Sequence, residues 1–323
     1  MNSKIISGIA LTVIFIFILF FYFLNRSFIF EEEKIVFIEP GSSLNEILIE
    51  FKENKITSNL NILKAYILLS GKSKSIQSGE FLIKPDSSLI QIVNKIENGD
   101  IFYRNLRFKE GDTWHDLRNA LKNEEYLVYD LPKDSIFLNT LTSNFNNLEG
   151  LFHPDTYFYK RGDKASEILI RAYKLHQKIL DKAWEGRSLN ISLSSKYEAL
   201  ILASIIEKEG IERNKISGVF NRRINLKMKL QSDPTVIYAL GDQFDGDIKR
   251  SDLKIKHPYN TYIYKGLPPG PIGLASQVSL EASVNPKEGT SLYFVSKGDG
   301  SHKFSDTLEE HNKAVRDYQL NKK

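Results

Sequence analysis

The 323-residue chain contains no cysteine. No disulfide constrains it, and no thiol can serve as nucleophile, redox centre or metal ligand, a composition that suits any compartment and demands none. It also lacks a charge imbalance: 44 Lys and Arg against 40 Asp and Glu leave +4, dispersed rather than gathered in a patch. That argues against nucleic acid as a partner, because phosphate binding needs a basic surface. The six histidines (115, 153, 176, 257, 302 and 311) show no metal-ligand spacing such as His-Glu-x-x-His, and read as surface or packed structural residues. Disorder is excluded except at the ends, since 41% hydrophobic and 26% charged residues can build an ordinary core. The length suggests about two domains.

What is present begins with an apolar run from Ile5 to Leu24, uncharged and interrupted only by the hydroxyls of Ser7 and Thr12. Twenty residues of helix span about 30 Å, the thickness of a bilayer's hydrocarbon core. Lys4 precedes the run as in a signal peptide, but Tyr22-Phe-Leu-Asn-Arg26 puts bulky side chains where cleavage requires small ones. An uncleaved anchor is expected. Lys4 lies on one side of the span and Arg26 and Lys34 on the other, so charge gives little orientation. The short tail 1–4 most simply stays in the cytoplasm, with the body outside.

The next feature is a repeat. Ile38-Glu-Pro-Gly-Ser-Ser-Leu44 returns 45 positions later as Ile83-Lys-Pro-Asp-Ser-Ser-Leu89. In each copy a short β-type run meets a proline turn, then serines able to cap a helix. Ser43 and Glu46 form a capping box, and the stripes Leu44, Ile47, Leu48, Phe51 and Leu89, Ile92, Val93, Ile96 follow helical spacing. A weaker third copy leads into Trp114, Leu117 and Leu121, and a further helix is expected over 60–69. Strands alternating with short helices predict a small α+β module over 35–103. Its size and rhythm are those of glycan-binding LysM folds, although any strand-turn-capped-helix unit, including a plain spacer, has the same pattern.

In the second half, the alternating aromatics of Leu148-Glu-Gly-Leu-Phe-His-Pro-Asp-Thr-Tyr-Phe-Tyr159 predict a half-buried strand, and Arg161-Gly-Asp163 a turn. A long helix is expected over 166–184. The following helix is apolar on every side from 199 to 206 except at Ser204; Ser195-x-x-Glu198 reads as its capping box and Gly210 as its stop. It ends in Glu207 and Glu209, between which helical phase cannot choose. A carboxyl in a last helical turn with apolar walls is pushed toward its protonated form and suits general acid catalysis. Lys208, Arg213, Arg222 and Arg223 oppose that shift, and a solvated helix end is the bland alternative. Downstream, residues 230–238, Tyr259-Asn-Thr-Tyr262 and Gly266-Leu-Pro-Pro-Gly-Pro271 read as loops whose tyrosines, Asn, Gln and Asp suit a groove for sugars.

The segments EGLFHPDTYFY, LASIIEKEG, VFNRRI, LQSDPTVIY, YNTY, GLPPGPI and the tail bearing Tyr293, His302, Phe304, His311 and Asn312 together resemble the endolytic murein transglycosylase (YceG-like) family, in order and over nearly the whole chain. The resemblance implies an α+β protein with a single N-terminal transmembrane helix, a LysM-like module and a larger α+β catalytic domain. The corresponding limits are a tail 1–4, anchor 5–24, linker 25–34, module 35–103 and catalytic domain 104–320. It implies an enzyme of the extracytoplasmic face of the bacterial cytoplasmic membrane, without metal or cofactor, that cleaves the MurNAc-GlcNAc β-1,4 bond of nascent glycan strands non-hydrolytically and leaves a 1,6-anhydro end. It implies Glu207 as the catalytic acid, with Glu149, Asp155, Gln231, Asp233, Asn260 and Tyr262 as candidates for holding sugar. Peptidoglycan synthases or the division and elongation machinery are the partners to consider. A hydrolysing muramidase, with Glu149, Asp155 or Asp233 as second carboxylate, and a non-catalytic wall-binding scaffold are the alternatives.

Overall fold

Five residues of β1 (Lys34–Ile38) pair antiparallel with β2 (Gly79–Ile83), Lys34 opposite Ile83 and Ile38 opposite Gly79. Period-2 alternation turns Val36, Ile38, Phe81 and Ile83 to one face. Against that face pack α2 (Leu44–Glu53), α3 (Leu60–Leu69) and α4 (Leu89–Glu97). The stripes read from the sequence are the buried ones: Ile47, Leu48 and Phe51 on α2, and Leu89, Ile92, Val93 and Ile96 on α4. Both repeat copies start with a reciprocal capping box, Ser43 with Glu46 and Ser88 with Gln91. Each satisfies two helix N–H groups that would otherwise be orphaned.

This is a computed structural model, and it describes residues 3–26, 32–57, 59–142 and 144–320. The tail 1–4 and linker 25–34 expected from the sequence therefore fall partly outside the described residues. The chain divides into two compact units, residues 1–105 with 158–163, and 106–157 with 164–323. The first also contains α1 (Ser3–Asn25), which among the described residues is the one helix long and apolar enough to cross a membrane. The Thr12 hydroxyl donates to the Gly8 carbonyl at 2.9 Å, so its polarity is absorbed within the helix.

The strand β3 (Arg104–Arg107) carries the chain out of the first unit. The second unit continues with α5 (Trp114–Asn123), α6 (Asp134–Leu141) and the first half of β4 (Thr156–Tyr159), whose burial alternates as its aromatics predicted. Then come α7 (Ala165–Glu185), α8 (Lys196–Glu209), α9 (Arg213–Asn225), α10 (Asp233–Leu240) and α11 (Gln277–Val284). A hairpin of β5 (Tyr293–Ser296) and β6 (His302–Ser305), α12 (Leu308–Val315) and a π-helical turn Arg316–Leu320 follow. The third repeat copy is also capped reciprocally, by Thr113 and Asp116.

One segment differs from its reading. Residues 230–238 were expected as loop, yet the chain is helical from Asp233 because Pro234 falls in the first turn, where no N–H is needed and φ is preset. The acid of Asp233 complements the helix dipole there.

Glu80 is 3% exposed on β2 and sits between two guanidinium groups, Arg104 and Arg161 at 3.4 Å. Arg161, the first residue of the Arg-Gly-Asp turn, also lies over the Phe37 ring at 4.5 Å. Breaking a buried ion pair from one side strands the remaining charges. Glu80→Gln is expected to lower the stability of the first unit by about 3 kcal/mol, read from urea denaturation.

Candidate active site at the end of a buried helix

Helix α8 is the centre of the second unit, contacted by α7, α9, α10 and α11. Every residue from Ala199 to Ile206 is buried. The one polar member, Ser204, turns its hydroxyl to the Ile201 carbonyl at 2.7 Å and accepts the Ile272 N–H at 3.0 Å. At the start of the helix, Ser195 accepts the Glu198 N–H, but the Glu198 carboxylate reaches past it to the Ser194 N–H at 2.6 Å. The expected capping box is thus half formed. The helix stops at Gly210, whose φ of +146° is a glycine conformation and where a Cβ would approach His302 Cε1 to 3.0 Å.

Successive helical residues rotate by about 100°, so Glu207, Lys208 and Glu209 leave the last turn in three directions. Glu207 faces α9 and α11. It accepts Arg213 Nη2 at 2.6 Å, the Ser276 N–H at 2.8 Å and the Ser276 hydroxyl at 2.5 Å, with its side chain 4% exposed. Burial pushes its pKa up, but the Ser276 and Arg213 hydrogen bonds outweigh it, and the group lies below the ordinary carboxylate range. The raised pKa expected at Glu207 is therefore reversed, because its three donors stabilise the charged form.

Glu209 faces a cavity of about 480 Å³, walled also by Gln231, Asp233, Tyr262, Tyr293 and His311, within the size range of small-ligand sites. Among the described residues its single hydrogen-bond donor is Ser232, at 2.5 Å from Oε1. Burial, with the Asp233 charge beside it, pushes the pKa to about 7 against the opposing effects of Ser232 and Arg223. The donor itself is fixed. Ser232 is 1% exposed, its N–H donates to the Thr261 hydroxyl at 3.0 Å, and its carbonyl accepts the Thr235 hydroxyl at 2.6 Å. Thr235 and Thr261 share a hydrogen bond of 2.8 Å, closing a buried cluster that ties 231–235 to 260–262.

Three of the sugar-holding candidates share this cavity. Gln231 sits on its wall in a left-handed conformation, φ +52°, held by its N–H to the Thr261 carbonyl at 3.2 Å. Asp233 accepts the Tyr262 hydroxyl at 2.5 Å, which together with burial raises the tyrosine pKa. Asn260, by contrast, is fully buried and spends its amide on the carbonyls of Leu253 and Ile255 and the N–H of Tyr262, so it shapes the loop from behind. Glu149 belongs to a different cavity of about 430 Å³, walled also by Lys208, Asp116 and Tyr238. There it caps α5 through the Trp114 N–H at 3.0 Å and accepts the Tyr238 hydroxyl at 3.0 Å, while burial pushes its pKa to about 7. Asp155 is exposed; its carboxylate bonds the adjacent Thr156 N–H and lines neither cavity.

Residues that the sequence reading did not assign to the site complete the wall. Arg223 donates to the carbonyls of Leu292, Lys229 and Leu230 and lies over the Tyr293 ring at 5.0 Å. Tyr293 stacks in turn on His311, centroids 5.3 Å apart. Ser232 and Arg223 lie inside two of the motifs quoted above, LQSDPTVIY and VFNRRI, which was the available signal. Among the described residues no group of three His, Asp or Glu is disposed to hold a metal ion.

The profile of the YceG-like family matches residues 36–317. An endolytic murein transglycosylase of Bacillus subtilis is 32% identical over 305 residues, 87% of this chain and 83% of that protein. One of Streptococcus pneumoniae serotype 2 is 29% identical over 225 residues, 65% of this chain but 40% of that longer protein. A crystal structure of a YceG-like protein from Listeria monocytogenes superimposes with a TM-score of 0.52 at 29% identity, over 87% of this chain and 99% of that one.

The two carboxylates make opposite predictions. Glu209 has a folded pKa raised above its ordinary 4.5, so stability falls as pH rises from about 4.5 through 7 and the buried group ionises. Glu209→Gln is expected to be more stable than the parent at pH 8, by about 1–3 kcal/mol, with the gain vanishing at pH 4. Glu207 has a depressed pKa, so its contribution is present above the ordinary value and lost as pH falls through the folded one. Glu207→Gln is expected to cost about 3 kcal/mol at pH 7 and less in acid. Urea denaturation at several pH values reads both.

Proposed function

Because the chain belongs to the YceG-like family, we propose that it is a lytic transglycosylase of peptidoglycan that uses Glu209, rather than Glu207, as its one acid and base. The observation that carries this reading is the position of Glu209: a carboxyl with pKa about 7 at the end of a rigid buried helix, opening on a cavity lined by tyrosines and amides. Glu207 is held as a charge by Arg213 and Ser276.

The scissile bond is the β-1,4 linkage between N-acetylmuramic acid and N-acetylglucosamine within a strand. Ser232 donates to Oε1, so the proton of the neutral acid resides on Oε2, which has no partner among the described residues. Oε2–H protonates the leaving glycosidic oxygen. The resulting carboxylate then takes the proton of the muramyl 6-hydroxyl, whose oxygen closes on C1 as the 1,6-anhydro ring. A pKa near 7 serves both halves, since neither protonation state is far from reach at neutral pH. The faces of Tyr262 and Tyr293 stack on pyranose rings, and Gln231 and Asp233 bond hydroxyl and acetamido groups. Arg223 supports the wall from its three carbonyl contacts.

In the same proposal α1 anchors the protein in the cytoplasmic membrane with residues 1–4 inside and the body outside. Residues 35–103 act as a LysM-like module and 104–320 as the catalytic domain, acting on nascent strands beside the synthases of the growing or dividing wall.

A hydrolysing muramidase remains as a second reading on one observation, the Asp233 carboxylate on the same cavity wall as Glu209, since water-activating hydrolysis takes two carboxylates. Mass spectrometry of digested glycan strands distinguishes them: anhydro ends, lighter by one water, are expected, and hydrated reducing ends would overturn the proposal. Glu209→Gln is expected to lose at least about 100-fold in turnover while staying folded. Unchanged strand cleavage by that variant would remove Glu209 from the mechanism.

The acid must be protonated to start, so kcat/KM is expected to fall as pH rises through about 7. Ser232→Ala removes a bond that favours the carboxylate, so the alkaline limb is expected to move to higher pH while turnover drops about tenfold. Ser232→Thr restores the parent profile if the hydroxyl is what matters.

A further inference from the structure

A second cavity adjoins the one that Glu209 faces. Helix α8 gives Glu209 to the first and Lys208, one residue earlier, to the second; α10 gives Asp233 to the first and Pro234 to the second. This second cavity, of about 430 Å³, has no part in the reaction proposed above. Its buried carboxyl, Glu149, is spent on the Trp114 N–H and the Tyr238 hydroxyl, and Asp116 is spent on the N–H and hydroxyl of Thr113.

Two charges on its wall are not spent. Lys208 and Asp242 are both exposed, and among the described residues neither makes a hydrogen bond or an ion pair. They carry opposite signs and line one space without pairing with each other. The same wall carries the apolar side chains of Pro234 and Ile237 and the Tyr238 ring. A sugar hydroxyl can bond either charged group but neutralises neither. A ligand with a carboxylate, an amine and small apolar side chains satisfies both, each through a charge-assisted hydrogen bond.

We propose that this cavity takes the peptide branch of the muramyl residue whose bond Glu209 cleaves, with Lys208 holding a free carboxylate of the peptide and Asp242 an amine. The proposal rests on the transglycosylase reading. The branch leaves the sugar at its lactyl group, and three peptide residues reach about 10 Å, roughly the breadth of a helix with its side chains. A branch rooted in the first cavity therefore reaches the second by passing the end of α8. The consequence is a specificity: strands that still carry their peptides are the preferred substrate, and stripped strands are poor ones.

For the test, full-length protein in detergent is given uncrosslinked glycan strands that either carry their peptides or have lost them to an amidase. Values of kcat/KM are read from the new chain ends by mass spectrometry. The parent is expected to favour the peptide-bearing strand by about tenfold. Lys208→Met keeps the apolar stem and is expected to remove most of that preference through KM, whereas Lys208→Arg retains it. Asp242→Asn is expected to weaken it in the same sense. A parent that cleaves both strands equally well overturns the proposal, and so does a preference that survives Lys208→Met. A loss of the same size on both strands in that variant overturns it too, since Lys208 would then act on the glycan or the acid. A parent that cleaves neither strand sinks the transglycosylase reading itself.

Discussion

The second unit is organised around one constraint: a helix buried on every side must end somewhere, and α8 ends in three ionisable residues. Rotation of about 100° per residue gives each of them a different environment. Glu207 meets an arginine and the N-terminus of α11 and becomes a fixed charge that joins three helices. Lys208 faces the cavity that holds Glu149. Glu209 meets one hydroxyl and an open cavity. Two residues of identical chemistry, two positions apart, are thus driven in opposite directions in pKa. The difference is the number and charge of the donors that reach them, since both are desolvated.

The environment of Glu209 depends on the start of α10 and on irregular backbone at 231–232 and 260–262. The segments 231–235 and 260–262 are held by Thr235, Thr261 and Ser232, which bond one another in the interior. Asn260 secures the second segment with three more bonds, to Leu253, Ile255 and Tyr262. Each such bond contributes only about 1 kcal/mol net, but an unmade one in the interior costs more, so the cluster favours a single geometry. Gln231 is held in a left-handed conformation within it. A loop wall built this way can hold an acid and its donor at hydrogen-bonding distance, as a proton donor requires.

Elements that announce themselves by spacing were legible in the sequence. The stripes of α2 and α4, the reciprocal box at Ser43, the all-round apolar run of α8 and the alternation of β4 all follow from periodicity and local hydrogen bonding. The helical Asp233–Leu240 was not, because Pro234 reads as a breaker until it is known to occupy a first turn. The different environments of Glu207 and Glu209 were not legible either. Phase places both on buried faces, and what separates them is Arg213 and Ser276 on one side and Ser232 on the other, partners that only the tertiary fold brings within reach. Asn260 shows the same limit, since an amide in an aromatic loop reads as a sugar ligand until its three bonds to backbone are seen.

A transglycosylase that does without water makes an unusual demand on its acid, which must give a proton to a poor base and moments later recover one from a weakly acidic hydroxyl. A carboxyl held at its ordinary pKa would be ionised at the start, and one pushed far above neutrality would be too weak a donor. An intermediate value requires burial offset by little else. Burial raises Glu209, Asp233 adds to it, and Ser232 and Arg223 limit it. A closer cation would repeat the situation of Glu207 and discharge the acid. Arg223 lines the same cavity but is kept occupied by the carbonyls of Leu230 and Leu292, both at 2.6 Å. It can therefore lend its field without forming the ion pair that would remove the proton, which makes those two backbone carbonyls part of what keeps the proposed acid protonated.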